Sequence, residues 1–170
     1  MTFVFTGPES TGKTTLANHI AQSLDAPLVK EYAREYLEKL NRDYTLDDVI
    51  KMAETQLKLE QAAIKRNIRY LFLDTDLITF KIWLKEKYNE SLPWIDRAII
   101  HSSKKHYFLC DIDIPWHHDP LREHPNPEER KKLYEMHLHL LLEYQLPFTI
   151  VSGNSSQRIQ TCKAAIKSEV

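Results

Sequence analysis

The fold is decided by a short run near the N-terminus, Gly7-Pro8-Glu9-Ser10-Thr11-Gly12-Lys13-Thr14. An apolar segment, Thr2–Thr6, precedes this run, and an amphipathic segment over residues 13–24 follows it. The run matches the pattern Gly-x-x-x-x-Gly-Lys-Thr, in which glycines let the backbone turn tightly and point successive N–H groups at phosphate oxygens. A strand, a glycine-rich turn and a helix in this order predict a phosphate-binding loop, or P-loop.

Each part of this loop has an expected role in binding ATP and Mg²⁺. The helix that begins near Lys13 directs the positive end of its dipole at the phosphates. We expect the Lys13 amine to reach the β- and γ-phosphates and the Thr14 hydroxyl to ligate Mg²⁺. The expected nucleotide-binding residues of the loop are Gly7, Pro8, Glu9, Ser10, Thr11, Gly12, Lys13, Thr14 and Thr15.

Short apolar segments and longer amphipathic segments alternate along the rest of the chain, which is typical of a parallel α/β sheet. The predicted strands lie at residues 2–6, 27–30, 70–74, 106–110 and 148–151. Thr45, with Asp48 three residues later, resembles a capping box and predicts a long helix that reaches about Arg66. Crossover connections are right-handed and place helices on both faces. We therefore predict one domain over residues 1–170, a P-loop NTPase with a doubly wound parallel five-stranded sheet.

The composition argues against several classes of function. The 170 residues carry a formal net charge of −1, so no overall field draws the protein to nucleic acid or anionic lipid. No apolar run is long enough to span a bilayer, and the N-terminus lacks the basic start of a signal peptide. The two cysteines are too few for a disulfide framework. We expect a cytoplasmic protein with a small-molecule substrate and with neither a nucleic-acid nor a membrane partner.

Two carboxylates follow the third predicted strand, in Asp74-Thr75-Asp76. Ligands of open α/β sheets bind at the carboxyl ends of the strands, so we expect Asp74 to support Mg²⁺. Asp76 would point the same way as Asp74 if the strand continued, because side chains two residues apart share a face of a strand. Alternatively, Asp76 caps the helix that follows.

A proline-rich stretch late in the chain, residues 111–130, predicts a mobile lid over the bound phosphates; we call it the lid segment. It contains Asp119-Pro120-Leu121-Arg122-Glu123-His124-Pro125. Arg122 is the first candidate for γ-phosphate contact and Arg130 the second; the alternative for each is a surface salt bridge. Because the chain has neither an Asn-Lys-x-Asp guanine-binding motif nor an Asp-x-x-Gly switch, a small kinase is favoured over a switch GTPase.

The motifs together resemble a known family, the nicotinamide riboside kinase domain of NadR-type proteins. They are the P-loop run, Glu31-Tyr32-Ala33-Arg34-Glu35-Tyr36, Asp74-Thr75-Asp76, and Asp113-Ile114-Pro115-Trp116 followed by Asp119-Pro120-Leu121-Arg122. The resemblance implies a nucleoside-kinase-like fold and ATP-dependent phosphorylation of the ribose 5′-hydroxyl of N-ribosylnicotinamide, giving nicotinamide mononucleotide. Two alternatives stay open: a kinase for another small metabolite or nucleotide, and a non-catalytic ATP-binding sensor.

A nucleoside kinase needs a base near the attacking hydroxyl. Glu31, just past the second strand, and Asp76 are equal candidates for this base, and either also binds substrate in this interpretation. Arg34 lies one helical turn after Glu31, so it is expected to bind substrate or to orient Glu31. The alternative for Arg34 is an ion pair with a carboxylate on the helix surface.

A positively charged nicotinamide ring favours an aromatic contact, through stacking and cation–π attraction. Trp116 is the first candidate, and Tyr32, Tyr36 and Trp83 follow, although Trp83 lies on an apolar helical face and is more consistent with core packing. Gly153, in the turn after the fifth strand, is expected to border the adenine ring of ATP.

Overall fold

The computed structural model describes residues 1–66, 68–102 and 104–169, and within them five parallel strands form one sheet. The strands are β1 (Thr2–Thr6), β2 (Leu28–Val29), β3 (Leu71–Asp74), β4 (Lys105–Cys110) and β5 (Phe148–Val151). The helices are α1 (Lys13–Ser23), α2 (Tyr32–Glu38), α3 (Leu46–Ile64), α4 (Leu77–Tyr88), α5 (Pro93–Ile100), α6 (Pro127–Glu143) and α7 (Ser155–Ser168). The predicted parallel sheet is confirmed, although β2 is shorter than expected.

Strand β1 lies at the centre of the sheet, whose order is β2-β3-β1-β4-β5. Within β1, Phe5 pairs with Asp74 of β3 on one side and with Phe108 of β4 on the other. The chain builds β2 and β3 on one side of β1 and then crosses to build β4 and β5 on the other. The strand order therefore reverses at β1, and the crevice beyond the carboxyl ends of these strands is where open α/β sheets bind ligands.

Alternate side chains of β1 enter two apolar cores, one on each face of the sheet. Phe3 and Phe5 pack with Phe72, Phe108 and apolar residues of α1 and α7. Val4 belongs to the larger core, which also takes residues from α3, α4, α5 and α6. Since both faces of β1 are fully buried, the loop that leaves its carboxyl end is anchored to a well-packed part of the molecule.

Helix α3 begins at the position that the capping box predicts. The Asp48 N–H donates to the Thr45 hydroxyl at 3.4 Å, and the Thr45 N–H donates to the Asp48 carboxylate at 2.8 Å. The predicted capping box is therefore present. Within the part of the chain that the structure describes, none of the helices combines the length and the apolar character needed to cross a membrane.

Candidate active site

The P-loop connects the end of β1 to the start of α1, and its two glycines have positive φ angles. Gly7 has φ 128°, and a β-carbon there would lie 2.7 Å from the Cys110 carbonyl oxygen. Gly12, with φ 75°, is the N-cap of α1. Both positions therefore require glycine, since any other residue would be strained at these angles and would also clash at Gly7.

The loop forms one end of a cavity of about 810 Å³, which is large enough for a nucleotide and a small second substrate. The Lys13 amine donates to the Pro8 carbonyl at 2.6 Å, and the Thr11 hydroxyl donates to the same oxygen at 2.8 Å. The structure thus keeps the lysine amine over the loop. All of the loop residues expected to bind nucleotide line this cavity, from Gly7 through Thr15.

Asp74, the last residue of β3, has a buried carboxylate beside the P-loop helix. Burial raises its pKa, while the Thr14 hydroxyl and the Lys13 charge act in the opposite direction. Its Oδ1 atom has no hydrogen-bond partner among the described residues. Buried polar atoms are almost always satisfied, and Mg²⁺ prefers oxygen ligands. Thr14 and Asp74 therefore fit a Mg²⁺ site.

The structure does not support Asp76 as a substrate-contacting base. Strand β3 ends at Asp74, and Thr75 has φ 80°, so the alternation that would align the two aspartates is broken. The Asp76 side chain is fully buried and does not line the cavity. Its Oδ1 accepts from the Ile78 N–H at 3.0 Å, so the alternative interpretation, a helix cap, is the one that the structure shows.

Glu31 lines the cavity and is the acidic candidate that remains for the base. Burial raises its pKa; the charge of Lys13 lowers it, and that of Asp74 raises it further. A carboxylate with a raised pKa is a better proton acceptor than an ordinary surface glutamate at neutral pH. The position of Glu31 follows from the local fold, because it is the N-cap of α2 and directly follows the short strand β2.

Arg34, one turn further along α2, contacts the lid segment. Its guanidinium donates to the Asp119 carboxylate at 2.7 Å and more weakly to Glu38 at 3.4 Å. Arg34 also lines the cavity. The ion pair that we considered as an alternative is therefore present, but its main partner belongs to the lid segment rather than to the surface of α2.

Glu9, a variable position of the P-loop pattern, holds the lid segment by three hydrogen bonds. Its carboxylate accepts from the backbone N–H groups of Glu123 at 3.0 Å and of His124 at 2.8 Å. It also accepts from the indole N–H of Trp116 at 3.0 Å. Next to it, the Ser10 hydroxyl accepts from the His117 N–H at 3.0 Å. The lid segment therefore docks directly on the phosphate-binding loop.

Both candidate arginines lie near the P-loop, and neither makes an ion pair within residues 1–66, 68–102 and 104–169. Arg122 lines the cavity and donates to the His117 carbonyl at 2.5 Å. Arg130 is buried, donates to the Ser10 carbonyl at 3.4 Å, and has its pKa lowered by burial. Two cations without a carboxylate partner beside the loop favour anion binding over the surface salt bridges that we considered.

Three of the four aromatic candidates do not line the main cavity. Trp116 is held by Glu9, as described above. The Tyr36 hydroxyl donates to Asp48 at 2.6 Å, and Tyr32 lines a separate shallow depression beside β2. The structure therefore does not support a substrate-stacking role for Trp116, Tyr32 or Tyr36.

The aromatic side chains that do line the cavity are Trp83 and Tyr44. Their rings meet edge to face with centroids 5.2 Å apart, and the Trp83 indole N–H donates to the Tyr44 hydroxyl at 3.1 Å. The other side of Trp83 stacks on Phe80 of the core, which explains why its helical spacing indicates packing. Tyr44 lies in the loop before α3, and no motif in the sequence marks it.

His137 is a second cavity residue that the sequence does not reveal. It is buried in α6, and its Nδ1–H donates to the Leu133 carbonyl at 2.8 Å. Burial lowers its pKa to about 4, so the ring is neutral at physiological pH. Its Nε2 atom has no partner among the described residues, which leaves it able to accept a hydrogen bond.

Gly153 does not line the cavity and lies in the turn between β5 and α7. With φ 88°, it adopts a left-handed conformation. The buried Arg158 donates to the Gly153 carbonyl and to the Thr11 carbonyl, both at 2.9 Å. No motif in the sequence marks Arg158, which ties this turn to the P-loop. Contact between Gly153 and an adenine ring stays a prediction.

Comparison with known proteins agrees with this geometry. A family model described as an AAA domain matches residues 2–158. The trifunctional NAD biosynthesis/regulator protein NadR of Escherichia coli (strain K12) is 26% identical over an alignment of 156 residues including gaps, which covers 88% of this chain and 38% of that protein. NadR of Salmonella typhimurium is 26% identical over an alignment of 173 residues including gaps, with coverages of 98% and 42%. The chain thus spans less than half the length of these curated relatives.

Solved structures with the same fold include two of NadR. NadR in complex with NR superimposes with a TM-score of 0.77 at 26% identity, covering 98% of this chain and 50% of that one. NadR in complex with NAD and AMP-PNP gives 0.74 at 24% identity, with coverages of 99% and 49%. Thymidylate kinase from Ehrlichia chaffeensis shares the fold, with a TM-score of 0.69 at 13% identity over 100% of this chain and 98% of that one. The chain therefore belongs to the AAA domain family, with the fold of the P-loop kinases.

Proposed function

We propose that this chain is an ATP-dependent kinase that phosphorylates the ribose 5′-hydroxyl of N-ribosylnicotinamide and gives nicotinamide mononucleotide. The observation that carries the proposal is that one cavity contains the P-loop with Lys13, a glutamate with a raised pKa, and an aromatic pair. These are the parts needed for a phosphoryl donor, a base and a ring-shaped acceptor. The similarity to NadR, one structure of which contains NR, supports this choice of acceptor.

The donor end of the cavity suits the γ-phosphate of ATP. Backbone N–H groups of the loop, the Lys13 amine and the Arg122 guanidinium surround the place where the phosphates of ATP bind in a P-loop. Thr14 and Asp74 would hold Mg²⁺, which would neutralise part of the charge on the phosphate oxygens. Phosphoryl transfer depends mainly on such positioning and charge neutralisation, so no covalent intermediate with the protein is needed.

At the acceptor end, Glu31 accepts the proton of the attacking hydroxyl. Its raised pKa places it closer to neutral pH than an ordinary glutamate, which is the property that a general base requires. In this proposal the lid segment, held by Glu9 and Arg34, closes over the phosphates and excludes water. Exclusion of water matters because water would otherwise compete with the ribose hydroxyl for the phosphoryl group.

The proposed ring site is the aromatic pair Tyr44 and Trp83. The acidic side chains of the same cavity, Glu86 and Glu123, are each paired with a lysine, and the Lys87 amine lies 3.9 Å from the centroid of the Tyr44 ring. The aromatic wall, which already accepts a cation in this way, is therefore the part of the site that suits a flat ring with a positive charge. The neutral His137 at the same cavity adds a hydrogen-bond acceptor without a repelling charge.

The test is to incubate the purified protein with ATP, Mg²⁺ and a panel of nucleosides, and to measure ADP release and the phosphorylated product. We expect ADP release that depends on N-ribosylnicotinamide. Release with a different acceptor alone would replace the substrate but keep the kinase. Tight ATP binding without release for any acceptor would point instead to an ATP-binding sensor.

A further inference from the structure

Four polar side chains form a buried charge cluster immediately behind the strand end that carries Asp74. Its members are Asp76, Glu60, Lys105 and Tyr107, and none is more than 5% exposed. The Lys105 amine donates to Glu60 at 2.8 Å and to Asp76 Oδ2 at 3.1 Å. The Tyr107 hydroxyl donates to the same Asp76 oxygen at 2.7 Å. None of the four lines the cavity, so the cluster does not itself contact substrate.

Burying this charge cluster costs free energy. The desolvation of charged side chains often exceeds their mutual attraction, and a protein with apolar side chains of the same size in their place is frequently as stable. Here two carboxylates share a single lysine, and burial raises the pKa of Glu60. Such a cluster is better explained by the geometry that it imposes than by the stability that it contributes.

The geometry in question is the backbone at Thr75, which lies between Asp74 and Asp76. Thr75 has φ 80°, a conformation that is unfavourable for a β-branched residue. On its N-terminal side, strand pairing between Asp74 and Phe5 fixes the chain, and the Thr75 N–H donates to the Phe5 carbonyl at 3.1 Å. On its C-terminal side, the chain is fixed by the hydrogen bonds of the Asp76 carboxylate.

We propose that Asp76 is a positioning residue: held by Lys105 and Tyr107, it keeps Thr75 in the left-handed conformation and so directs the Asp74 carboxylate toward the P-loop. The turn at Thr75 gives the two neighbouring aspartates, both of which are buried, different partners: Asp74 lies beside Thr14 of the P-loop, and Asp76 binds Lys105 and Tyr107 in the interior. If Thr75 relaxed to an extended conformation, the end of β3 would rotate and Asp74 would lose its place beside Thr14. This inference rests on the proposed function, in which Asp74 supports the Mg²⁺ of Mg-ATP.

The structure offers a control with the same three residue types in a more exposed position, where the Lys81 and Asp96 side chains are 21% and 31% exposed. Asp96 accepts hydrogen bonds from the Lys81 amine, at 2.6 Å, and from the Tyr144 hydroxyl. This second Asp–Lys–Tyr group joins α4, α5 and α6, and none of its members lines the cavity. It should therefore contribute to the stability of the fold without affecting Mg²⁺.

The experiment compares Asp76→Asn and Tyr107→Phe with Asp96→Asn and Tyr144→Phe. The measurement is the Mg²⁺ concentration that half-saturates the binding of a fluorescent ATP analogue, which needs no acceptor and no turnover. We expect this concentration to rise roughly 10-fold in Asp76→Asn, and less in Tyr107→Phe, because residues that orient metal ligands affect metal affinity by about this amount. The two control variants should leave it unchanged even where their melting temperatures fall.

A double mutant separates positioning from general loosening of the fold. Glycine adopts positive φ without strain, so Thr75→Gly should reduce the dependence on Asp76. Adding Asp76→Asn to Thr75→Gly is then expected to change the Mg²⁺ requirement by less than about 3-fold, compared with about 10-fold in the parent. Equal effects in both backgrounds, or a wild-type Mg²⁺ requirement in Asp76→Asn, would overturn the proposal. Failure to phosphorylate N-ribosylnicotinamide would reject the proposed substrate but leave this measurement intact.

Discussion

Glu31, which lines the cavity, and Asp74, which is buried next to the cavity residue Thr14, both have a pKa that is raised mainly by burial. A carboxyl group whose pKa is higher in the folded than in the unfolded state favours folding while it is protonated. That contribution is present at low pH and is lost as the pH rises through the folded pKa. At neutral pH, both charged carboxylates therefore reduce the free energy of unfolding, which is the expected cost of keeping a base and a metal ligand in a partly desolvated site.

Replacing Glu31 with glutamine should stabilise the protein while inactivating it. The neutral amide removes the desolvation cost of the charge, so the melting temperature of Glu31→Gln should exceed that of the wild type at pH 8, with the gap narrowing toward pH 5. Turnover should fall by at least about 100-fold, because the base is lost. Differential scanning fluorimetry across this pH range checks the first result and ADP release the second. Glu35→Gln, on the exposed face of the same helix, is the control; a destabilised but active Glu31→Gln would contradict the assignment.

Lys13→Ala should abolish measurable turnover. The lysine amine is the flexible cation of the P-loop, and loss of one charge that contacts the transferred group costs at least about 100-fold in kcat. Lys163→Ala, an exposed position on α7, serves as the control. Full activity in Lys13→Ala, measured by ADP release, would remove the P-loop from the mechanism.

Among single residues, the sequence predicts best the positions of those whose backbone conformation is set by a motif. The glycines and the lysine of the P-loop lie as expected, since the motif itself specifies their geometry. The sequence offered both orientations of Asp76, and the choice between them was not predictable, because it depends on a left-handed φ at Thr75, a residue type that disfavours this conformation. The positions of the aromatic side chains relative to the cavity were not predictable for a related reason. Their neighbours in space, such as Glu9 for Trp116, come from distant parts of the chain.

Among the elements, α4 supplies the aromatic wall through Trp83, and this leads to a specific prediction. Trp83→Ala should raise the KM for the nucleoside by about 5-fold and leave the KM for ATP within about 2-fold, since a well-placed aromatic contact contributes about 1 kcal/mol. Steady-state kinetics with each substrate varied in turn measures both constants. Trp116→Ala is the comparison: because the Trp116 indole N–H donates to Glu9 of the P-loop, this substitution should raise the KM for ATP more than the KM for the nucleoside. The reverse pattern would restore Trp116 as the stacking residue.

The contact between the P-loop and the lid segment depends on Glu9. In Glu9→Gln the side chain keeps one acceptor oxygen in place of two, so it cannot accept from the Glu123, His124 and Trp116 N–H groups in the present arrangement. We expect faster cleavage within the lid segment in limited proteolysis and a lower kcat. Glu135→Gln, on the exposed side of α6, should behave like the wild type. Unchanged proteolysis in Glu9→Gln would show that other contacts hold the lid segment.

The bounds of the helices and strands could be predicted from the sequence with different accuracy. Strands β1, β3, β4 and β5 lie within one residue of their predicted bounds. The first three are buried throughout, and β5 is a mainly apolar run at the edge of the sheet that is only partly buried. Strand β2 has two residues where four were predicted. It lies at the edge of the sheet and pairs only with β3. The start of α3 was predictable because its capping box is local, involving residues only three apart.

At the scale of the whole molecule, the two cores hold β1 from both faces, while the cavity lies at the carboxyl edge of the sheet between segments from distant parts of the sequence. Ligand binding should therefore stabilise the entire fold. At 100 times its Kd, Mg-ATP contributes about 2.7 kcal/mol, which for a domain of this size raises the melting temperature by roughly 5–10 °C. Thermal unfolding with and without Mg-ATP measures this shift. Lys13→Ala should lose most of it, and a full shift in that variant would mean that ATP binds elsewhere.

The docking of the lid segment on Glu9 and Ser10 has a consequence for the timing of the catalytic cycle. These contacts join protein to protein, so consumption of ATP does not by itself break them. If the lid segment closes over the products as proposed, they leave when the same small set of hydrogen bonds opens, at a rate independent of substrate concentration. Opening of the lid segment would then be the rate-limiting step of the cycle. Because it moves a chain segment through solvent, kcat should decline as solvent viscosity is increased, whereas the rate of the chemical step would not change.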